Sequence, residues 1–218
     1  LSAPDIALPG DNFNTILRNG FGASGGAVTG VGFEPDFLWQ KARSGRGNHW
    51  LTNSVSGDTK YLWSNSTDAE ATNANFVASL DSDGFTMGSD DWGTGTTTVA
   101  WNWKAGGAAV SNGDGDITSS VSANTTAGFS IVSWTGSGTL ADTVGHGLSV
   151  APSLFIIKVR DFSGENWPVW QESFGVDSNM YLDGTGALND GNQPDRFPTL
   201  PTASVFTPGN AANIGGTG

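Results

Sequence analysis

The sequence predicts an all-β protein made of two tandem antiparallel β-sandwich modules of the jelly-roll or lectin-like type. Charged residues form only 14% of the chain, which disfavours long solvent-facing helices. Apolar residues form 37%, enough for a packed core, and they fall in short runs between turns rich in glycine. The chain also repeats its motifs in the same order, which indicates an internal duplication.

The internal repeat divides the chain into two copies. The separation between matching positions is 116 at the first match and 121 at the last, and it grows without reversal. A duplication with small loop insertions predicts this slow drift. The matching positions, first copy before second, are 13–20 with 129–136, Pro35 with Pro152, Trp50 with Trp170, Tyr61 with Tyr181 and Phe85 with Phe206.

Short strands joined by turns are predicted inside each copy. Residues 37–41 and 154–160 are apolar runs just after a proline, and a strand tolerates a missing N–H at its first residues. Residues 129–134 alternate roughly with a period of two and end in a Gly-rich turn. Residues 99–103 alternate as well, which places Val99 and the two tryptophans of this run on one face.

The domain boundaries follow from the repeat. Module 1 spans residues 1–107, residues 108–124 form a flexible, surface-exposed linker, and module 2 spans residues 125–218. The β-prone run 96–103 of the first copy has no counterpart in module 2. We therefore expect module 2 to lack its last strand or to take it from another part of a longer protein. An unpaired sheet edge there would attract another chain.

The charge of the chain excludes several classes of partner. The net charge is −12, and nine Lys and Arg residues do not form the basic stripe of a nucleic-acid-binding protein. Anionic membranes are disfavoured for the same reason, and no apolar run approaches the ~20 residues of a membrane span. Because the chain has no cysteine, disulfides and thiolate metal sites are excluded too.

The sequence offers few groups for catalysis. A Ser-His-Asp triad needs a histidine, and only two occur, His49 and His146. The four glutamates do not form the Glu-x-Asp-x-x-Glu strand pattern of lectin-fold glycosidases. We therefore predict that the protein is not an enzyme. A glycan-degrading module with two carboxylates is the alternative, since their separation is not readable from sequence.

Aspartates in one loop region are candidate calcium ligands. They are Asp81, Asp83, Asp90 and Asp91. Calcium prefers several oxygen ligands, which Asp-rich turns supply, although the EF-hand pattern is absent. The alternative is that these side chains accept hydrogen bonds from nearby backbone N–H groups within turns. No other cofactor is predicted.

The nine tryptophans are the strongest indication of a ligand. An aromatic face stacks on sugar rings while neighbouring polar groups bind the hydroxyls. Trp63, Trp92 and Trp167 lie in or beside polar loops, and we predict them to be exposed ligand contacts. His49 is a further candidate, because it lies beside an aromatic residue in a Gly-rich loop. Four tryptophans in strand-like runs are assigned to the core: Trp39, Trp101, Trp103 and Trp134.

Four motifs in the chain resemble a tandem repeat of long tail-fibre-like and structural proteins of marine tailed bacteriophages. The motifs are residues 30–39, 59–62, 81–88 and 101–107. The resemblance spans nearly the whole chain, both copies included. It implies an extracellular, virion-associated sandwich module, and it carries over no catalytic residue.

The expected function is that of a non-enzymatic structural and adhesion module that contacts host cell-surface glycans. One alternative is a glycosidase or lyase module of a phage fibre, and another is a pure spacer or oligomerisation repeat. The expected partners are a host surface polysaccharide, other virion proteins or further copies of the chain. Display of weak sites on a repeating fibre would supply avidity.

Overall fold

The computed structural model of the protein describes residues 9–45 and 47–215. Within these residues it contains seventeen β-strands and three short 3-10 helices. The all-β class predicted from the sequence is therefore confirmed. No helix in the described residues is long and apolar enough to cross a membrane. The 3-10 helices are Pro9–Asp11, Gly22–Ser24 and Glu172–Phe174.

The strands divide between the two modules and the segment that joins them. Strands β1 to β9 are Phe13–Asn19, Gly26–Thr29, Phe37–Ala42, Trp50–Asn53, Lys60–Trp63, Ala71–Thr72, Val77–Asp81, Gly84–Met87 and Thr97–Trp103. Strands β10 to β17 are Val110–Asn112, Ser119–Asn124, Phe129–Ser133, Val144–Gly145, Leu154–Ile156, Pro168–Gln171, Met180–Tyr181 and Val205–Phe206.

The first module contains two antiparallel sheets that share one core. Six strands form one sheet, in the order β1-β9-β3-β4-β5-β6, and β2-β8-β7 form the other. Buried residues of both sheets pack in a single cluster, as the two layers of a β-sandwich do. Leu38 and Ala100 come from the larger sheet, and Phe85 and Met87 come from the smaller one. Burial of each large apolar side chain stabilises the fold by about 1.5–3 kcal/mol.

The turn between β7 and β8 requires glycine at position 84. Gly84 has φ +147°, and a Cβ atom there would lie 2.0 Å from the carbonyl oxygen of Val28 on the neighbouring strand. The carboxylate of Asp83, in the same turn, accepts the N–H groups of Gly30 and Gly32 at 3.0 and 2.7 Å. Asp83 and Gly84 therefore connect this turn to the loop that follows β2.

The second module repeats part of the strand pairing of the first, and its described residues contain no counterparts of β6, β7 and β9. The pair β13-β17 corresponds to β2-β8, and the sheet β14-β15-β16 corresponds to β3-β4-β5. Strand β12 takes the place of β1. In the described part of the chain, no strand lies between β12 and β14, where module 1 has β9 between β1 and β3. Module 2 has its own core, which includes Trp170, Phe197 and Phe206.

Residues 108–124, for which the sequence predicts a flexible linker, instead contain strands β10 and β11. With β12 they form a three-stranded antiparallel sheet. Val121 and Ser122 are buried, and the Ser122 hydroxyl accepts the N–H of Gly106 at 2.9 Å. The small polar residues of this segment have weak intrinsic β propensity, so pairing of β10 with β11 and of β11 with β12, rather than local preference, makes them strands.

A third buried cluster joins the two modules. Leu51 and Leu62 of module 1 pack against Trp167 of module 2. The indole Nε1 of Trp167 donates a hydrogen bond of 2.9 Å to a backbone carbonyl of module 1. Close to this cluster, the Arg160 guanidinium donates two hydrogen bonds to the Glu70 carboxylate, at 2.7 and 2.8 Å. Apolar burial and a bidentate ion pair therefore hold the modules together.

Replacing Glu70 by Gln tests the ion pair between the modules. Burial opposes ionisation of Glu70, but hydrogen bonds and charges from Arg160 and Lys60 outweigh it and hold the pKa of Glu70 below its usual value. Such a carboxyl stabilises the fold above its unfolded pKa of about 4.3, and this stabilisation is lost as pH falls through the folded pKa. We expect Glu70→Gln to lower the free energy of unfolding by about 1–2 kcal/mol near neutral pH.

Urea denaturation near neutral pH and again below the folded pKa of Glu70 measures this effect. The matched control is Glu172→Gln, because Glu172 is exposed, and its effect should stay within about 0.5 kcal/mol. We expect the loss caused by Glu70→Gln to shrink in acid. An equal loss at both pH values would contradict a role for the ionised carboxylate.

Candidate functional site

The tryptophans of β9 lie on the outer face of the six-stranded sheet. Ala100 and Asn102 point into the core and are no more than 1% exposed. Because successive strand residues alternate, Trp101 and Trp103 point to the opposite face, where both are half-buried. This corrects their predicted assignment to the core. The smaller sheet supplies bulky side chains to the shared core, so the inward positions of β9 are occupied by small residues.

Cross-strand pairing joins these tryptophans into aromatic rows. Trp103 lies between Phe13 on β1 and Phe37 on β3, with ring centroids 4.8 and 5.4 Å away. Trp101 pairs with Trp39 on β3, with ring centroids 6.1 Å apart and planes inclined by 70°. Trp39 is also half-buried and on the outer face, contrary to its predicted place in the core. We call these five residues the aromatic face.

One side of the aromatic face is covered by module 2 and the other is open. The ring of Phe129, from module 2, stacks on Trp103 with a centroid distance of 6.1 Å. Toward β1 the face is accessible, since Phe13 is 37% exposed. Thr15 pairs with Trp101 and is exposed as well. An accessible hydroxyl therefore lies beside partly exposed rings, which is the combination that sugar recognition uses.

His49 and Lys41 are polar residues near the same sheet. Lys41 lies two residues after Trp39 on β3 and so points to the same face. His49 directly precedes β4 and is half-buried, and its backbone N–H donates to Asn65 at 2.7 Å. Burial and the charge of Lys41 lower the pKa of His49. Its imidazole is therefore neutral at physiological pH and offers one donor and one acceptor.

Trp92, predicted to be an exposed ligand contact, is a core residue. It is 9% exposed and stacks on Trp50 with a centroid distance of 4.0 Å and an interplanar angle of 17°. The Arg18 guanidinium lies 5.9 Å from its ring. The polar sequence around Trp92 is typical of a surface loop, but the ion pair between Asp91 and Arg18 ties this loop to the sheet.

Trp167 and Trp63 also differ from their predicted exposure. Trp167 is only 4% exposed, within the cluster that joins the modules, and is not accessible to a ligand. Trp63 is half-buried against the core of module 1, with its ring 5.5 Å from that of Tyr61. Its indole nitrogen is buried and has no hydrogen-bond partner among residues 9–45 and 47–215. Neither tryptophan belongs to the aromatic face.

The four candidate calcium ligands are engaged by other protein groups. In the part of the chain that the structure describes, no three Asp, Glu or His side chains are grouped so that they could hold a metal ion. The hydrogen-bond partners are Ser79 and Thr86 for Asp81, Gly30 and Gly32 for Asp83, Asn73 for Asp90, and Arg18 and Phe21 for Asp91. These contacts fit the alternative interpretation, in which the aspartates stabilise turns and loops.

The comparisons with known proteins identify one family. The profile of a family described as a domain of unknown function (DUF7483) matches residues 8–218. No curated protein and no solved structure matches the chain.

Proposed function

The chain belongs to the DUF7483 family, a domain of unknown function, and we propose that it is a non-enzymatic structural and adhesion module that binds cell-surface glycans on its aromatic face. The observation that carries this proposal is the pair of aromatic rows on the outer face of the sheet, open toward β1. Monomeric proteins rarely leave large contiguous apolar surface exposed without a function.

The chemistry of the aromatic face suits neutral sugars. Half-buried Trp101 and Trp103 offer ring surface to sugar C–H groups, and exposed Thr15 offers a hydroxyl. The net charge of −12 repels anionic polymers. The proposed ligand class is therefore neutral polysaccharide, bound weakly at each site because the face is a flat surface and not a deep pocket.

The state of Glu70 supports binding without hydrolysis. A glycosidase needs a general acid whose pKa is raised, next to a second carboxylate. Glu70 forms ion pairs with Arg160 and Lys60, and those partners hold its pKa below its usual value. A carboxyl in that state is ionised at physiological pH and has no proton to give to a leaving group.

The proposed setting is the virion surface that the bacteriophage resemblance implies. There, host-cell polysaccharide is the partner, and weak sites on neighbouring copies act together. Binding of a second site becomes intramolecular once the first is occupied, so avidity can exceed the single-site affinity by about 10²–10⁴. A fibre therefore does not require a tight individual site.

Replacing Trp101 by Ala tests the aromatic face directly. We expect wild-type protein to be retained on immobilised neutral bacterial polysaccharides and Trp101→Ala to lose about 90% of that retention. An aromatic contact is worth about 0.5–1.5 kcal/mol beyond its buried area, and about 1.4 kcal/mol is a factor of ten in affinity. The matched control is Phe162→Ala, which removes a 46% exposed aromatic side chain from module 2 and should be retained normally.

The same experiment separates the competing functions. Each glycan is recovered after incubation and its chain length is measured. Retention of Trp101→Ala equal to that of wild type would contradict binding at the aromatic face. Shortened glycans would establish an enzyme, and absence of retention on every glycan would leave a spacer or oligomerisation repeat as the function.

A further inference from the structure

The outer face of the six-stranded sheet carries a third row of side chains beside the two aromatic rows. Leu17 of β1 lies opposite Val99 of β9, and Val99 lies opposite Lys41 of β3. Each of these residues is two positions along its strand from the row that contains Trp101, so all three point to the same face. The two rows are therefore about 6.6 Å apart, the rise of two strand residues.

His49 extends this third row by one strand. Strands β3 and β4 pair so that Gln40 lies opposite Trp50. Extension of this register by one pair brings Lys41 opposite His49, with Cβ atoms about 4.5–5.5 Å apart. The ladder does continue to His49, because its carbonyl oxygen accepts the N–H of Ser64 at 3.0 Å. Trp50 points into the core, so His49 points to the outer face.

The polar side-chain atoms of Lys41 and His49 are free to bind a ligand. Within residues 9–45 and 47–215, the Lys41 ammonium forms no ion pair, and His49 makes its side-chain contact only through its backbone N–H. Both residues are half-buried, but their nitrogen atoms are not among the buried unpaired atoms of the described residues. A ligand on the outer face can therefore reach them.

The two side chains offer complementary hydrogen-bonding groups. The Lys41 ammonium only donates, whereas the neutral imidazole of His49 has one donor and one acceptor nitrogen. Two hydroxyls on adjacent carbons of a sugar ring match this pair, since one oxygen accepts from Lys41 and the other hydroxyl donates to His49. An anionic group is the alternative ligand for Lys41, and the net charge of −12 disfavours it.

We propose that Lys41 and His49 select glycans whose sugars carry two free hydroxyls on adjacent ring carbons. The sugar ring stacks on Trp101 or Trp39 and directs its hydroxyl pair to the neighbouring row. This inference rests on the proposed glycan binding by the aromatic face, and it specifies which neutral sugars that face binds. A 1,4-linked hexose polymer has such a hydroxyl pair in every unit. A 1,3-linked polymer has none within its chain.

Affinity electrophoresis through gels that contain 1,4-linked glucan, 1,4-linked mannan or 1,3-linked glucan tests the selection. All three polymers are neutral and have intact sugar rings. We expect the wild-type chain to bind a 1,4-linked polymer about tenfold more tightly than the 1,3-linked one. Lys41→Met, which keeps most of the stem, and His49→Phe, which keeps a planar ring, should each remove most of this preference. Lys104→Met removes an exposed lysine beyond the end of β9 and is the matched control, with wild-type preference.

The outcomes separate this inference from the proposed function. Circular dichroism first establishes that the variants are folded, and the ring ¹⁵N resonances of His49 should shift with the 1,4-linked glycan and not with the 1,3-linked one. Equal wild-type affinity for both linkages, or a preference that survives both Lys41→Met and His49→Phe, would overturn the role of these residues and leave glycan binding by the aromatic face standing. No retention of the wild-type chain on any neutral polysaccharide would overturn both.

Discussion

Trp92→Ala is expected to lower the free energy of unfolding by about 3–5 kcal/mol. The indole is 9% exposed and stacks on Trp50, with ring centroids 4.0 Å apart. Truncation removes this stacking, the cation–π contact of the ring with the Arg18 guanidinium, and a large buried apolar area. It also leaves a cavity in the core. Domains of this size are typically stable by about 5–15 kcal/mol, so the loss is a large fraction of the total. Urea denaturation followed by far-UV circular dichroism measures it.

Trp101→Ala is the matched comparison for Trp92→Ala. Both remove an indole, but Trp101 is half-buried on the outer face of the sheet. We expect Trp101→Ala to lower the free energy of unfolding by about 1–2 kcal/mol while it removes about 90% of the glycan retention. Trp92→Ala, in the fraction that is still folded, should keep glycan retention. A stability loss for Trp92→Ala no greater than that for Trp101→Ala would contradict its place in the core.

Asp91→Ala is expected to cost about 3–5 kcal/mol for a different reason. The Asp91 side chain is fully buried and the Arg18 side chain is 8% exposed. The carboxylate accepts two hydrogen bonds from Arg18, at 2.7 and 2.8 Å, and one from the N–H of Phe21 at 2.7 Å. Removal of Asp91 leaves the guanidinium buried without its anion. Thermal and urea denaturation both report the resulting loss.

The adjacent residue offers a control for the Asp91 substitution. Asp90 is exposed and accepts one hydrogen bond, from Asn73 at 2.9 Å. We expect Asp90→Ala to change the free energy of unfolding by less than about 1 kcal/mol. The double variant of Asp91→Ala with Arg18→Met should recover part of the loss, because an apolar side chain can occupy a buried site without a counter-ion. Equal effects of the two aspartate substitutions would rule out the buried ion pair.

Residues 97–103 show which structural features a local sequence pattern can predict and which it cannot. Alternation predicts a strand with Val99, Trp101 and Trp103 on one face, and β9 has this arrangement. The alternation does not show which of the two strand faces packs against the core. Large aromatic residues are commonly buried, so assignment of the tryptophans to the core follows from general preference. That preference does not hold for β9, because side chains of the second sheet already fill the space on the inner side of the larger sheet.

In the loop from 88 to 96 the error has the opposite direction, because a tryptophan predicted to be exposed is buried. Its Gly, Ser, Asp and Thr residues are typical of a solvated turn, and Trp92 within it resembles a ligand contact. A contact between Arg18 and Asp91, 73 positions apart, turns the loop inward. No local signal reveals such a pair, since charged residues are mostly exposed unless they are paired.

The all-β class, the strand-like runs and the recurring motifs are readable from the chain because they depend on composition and on a period of two, which are local properties. The burial of Trp92 and Trp167, the open aromatic face and the partners that the four aspartates find depend on which sheets and modules pack together. Those contacts join residues far apart in sequence. They are selected by the free energy of the whole packed fold and not by any one segment.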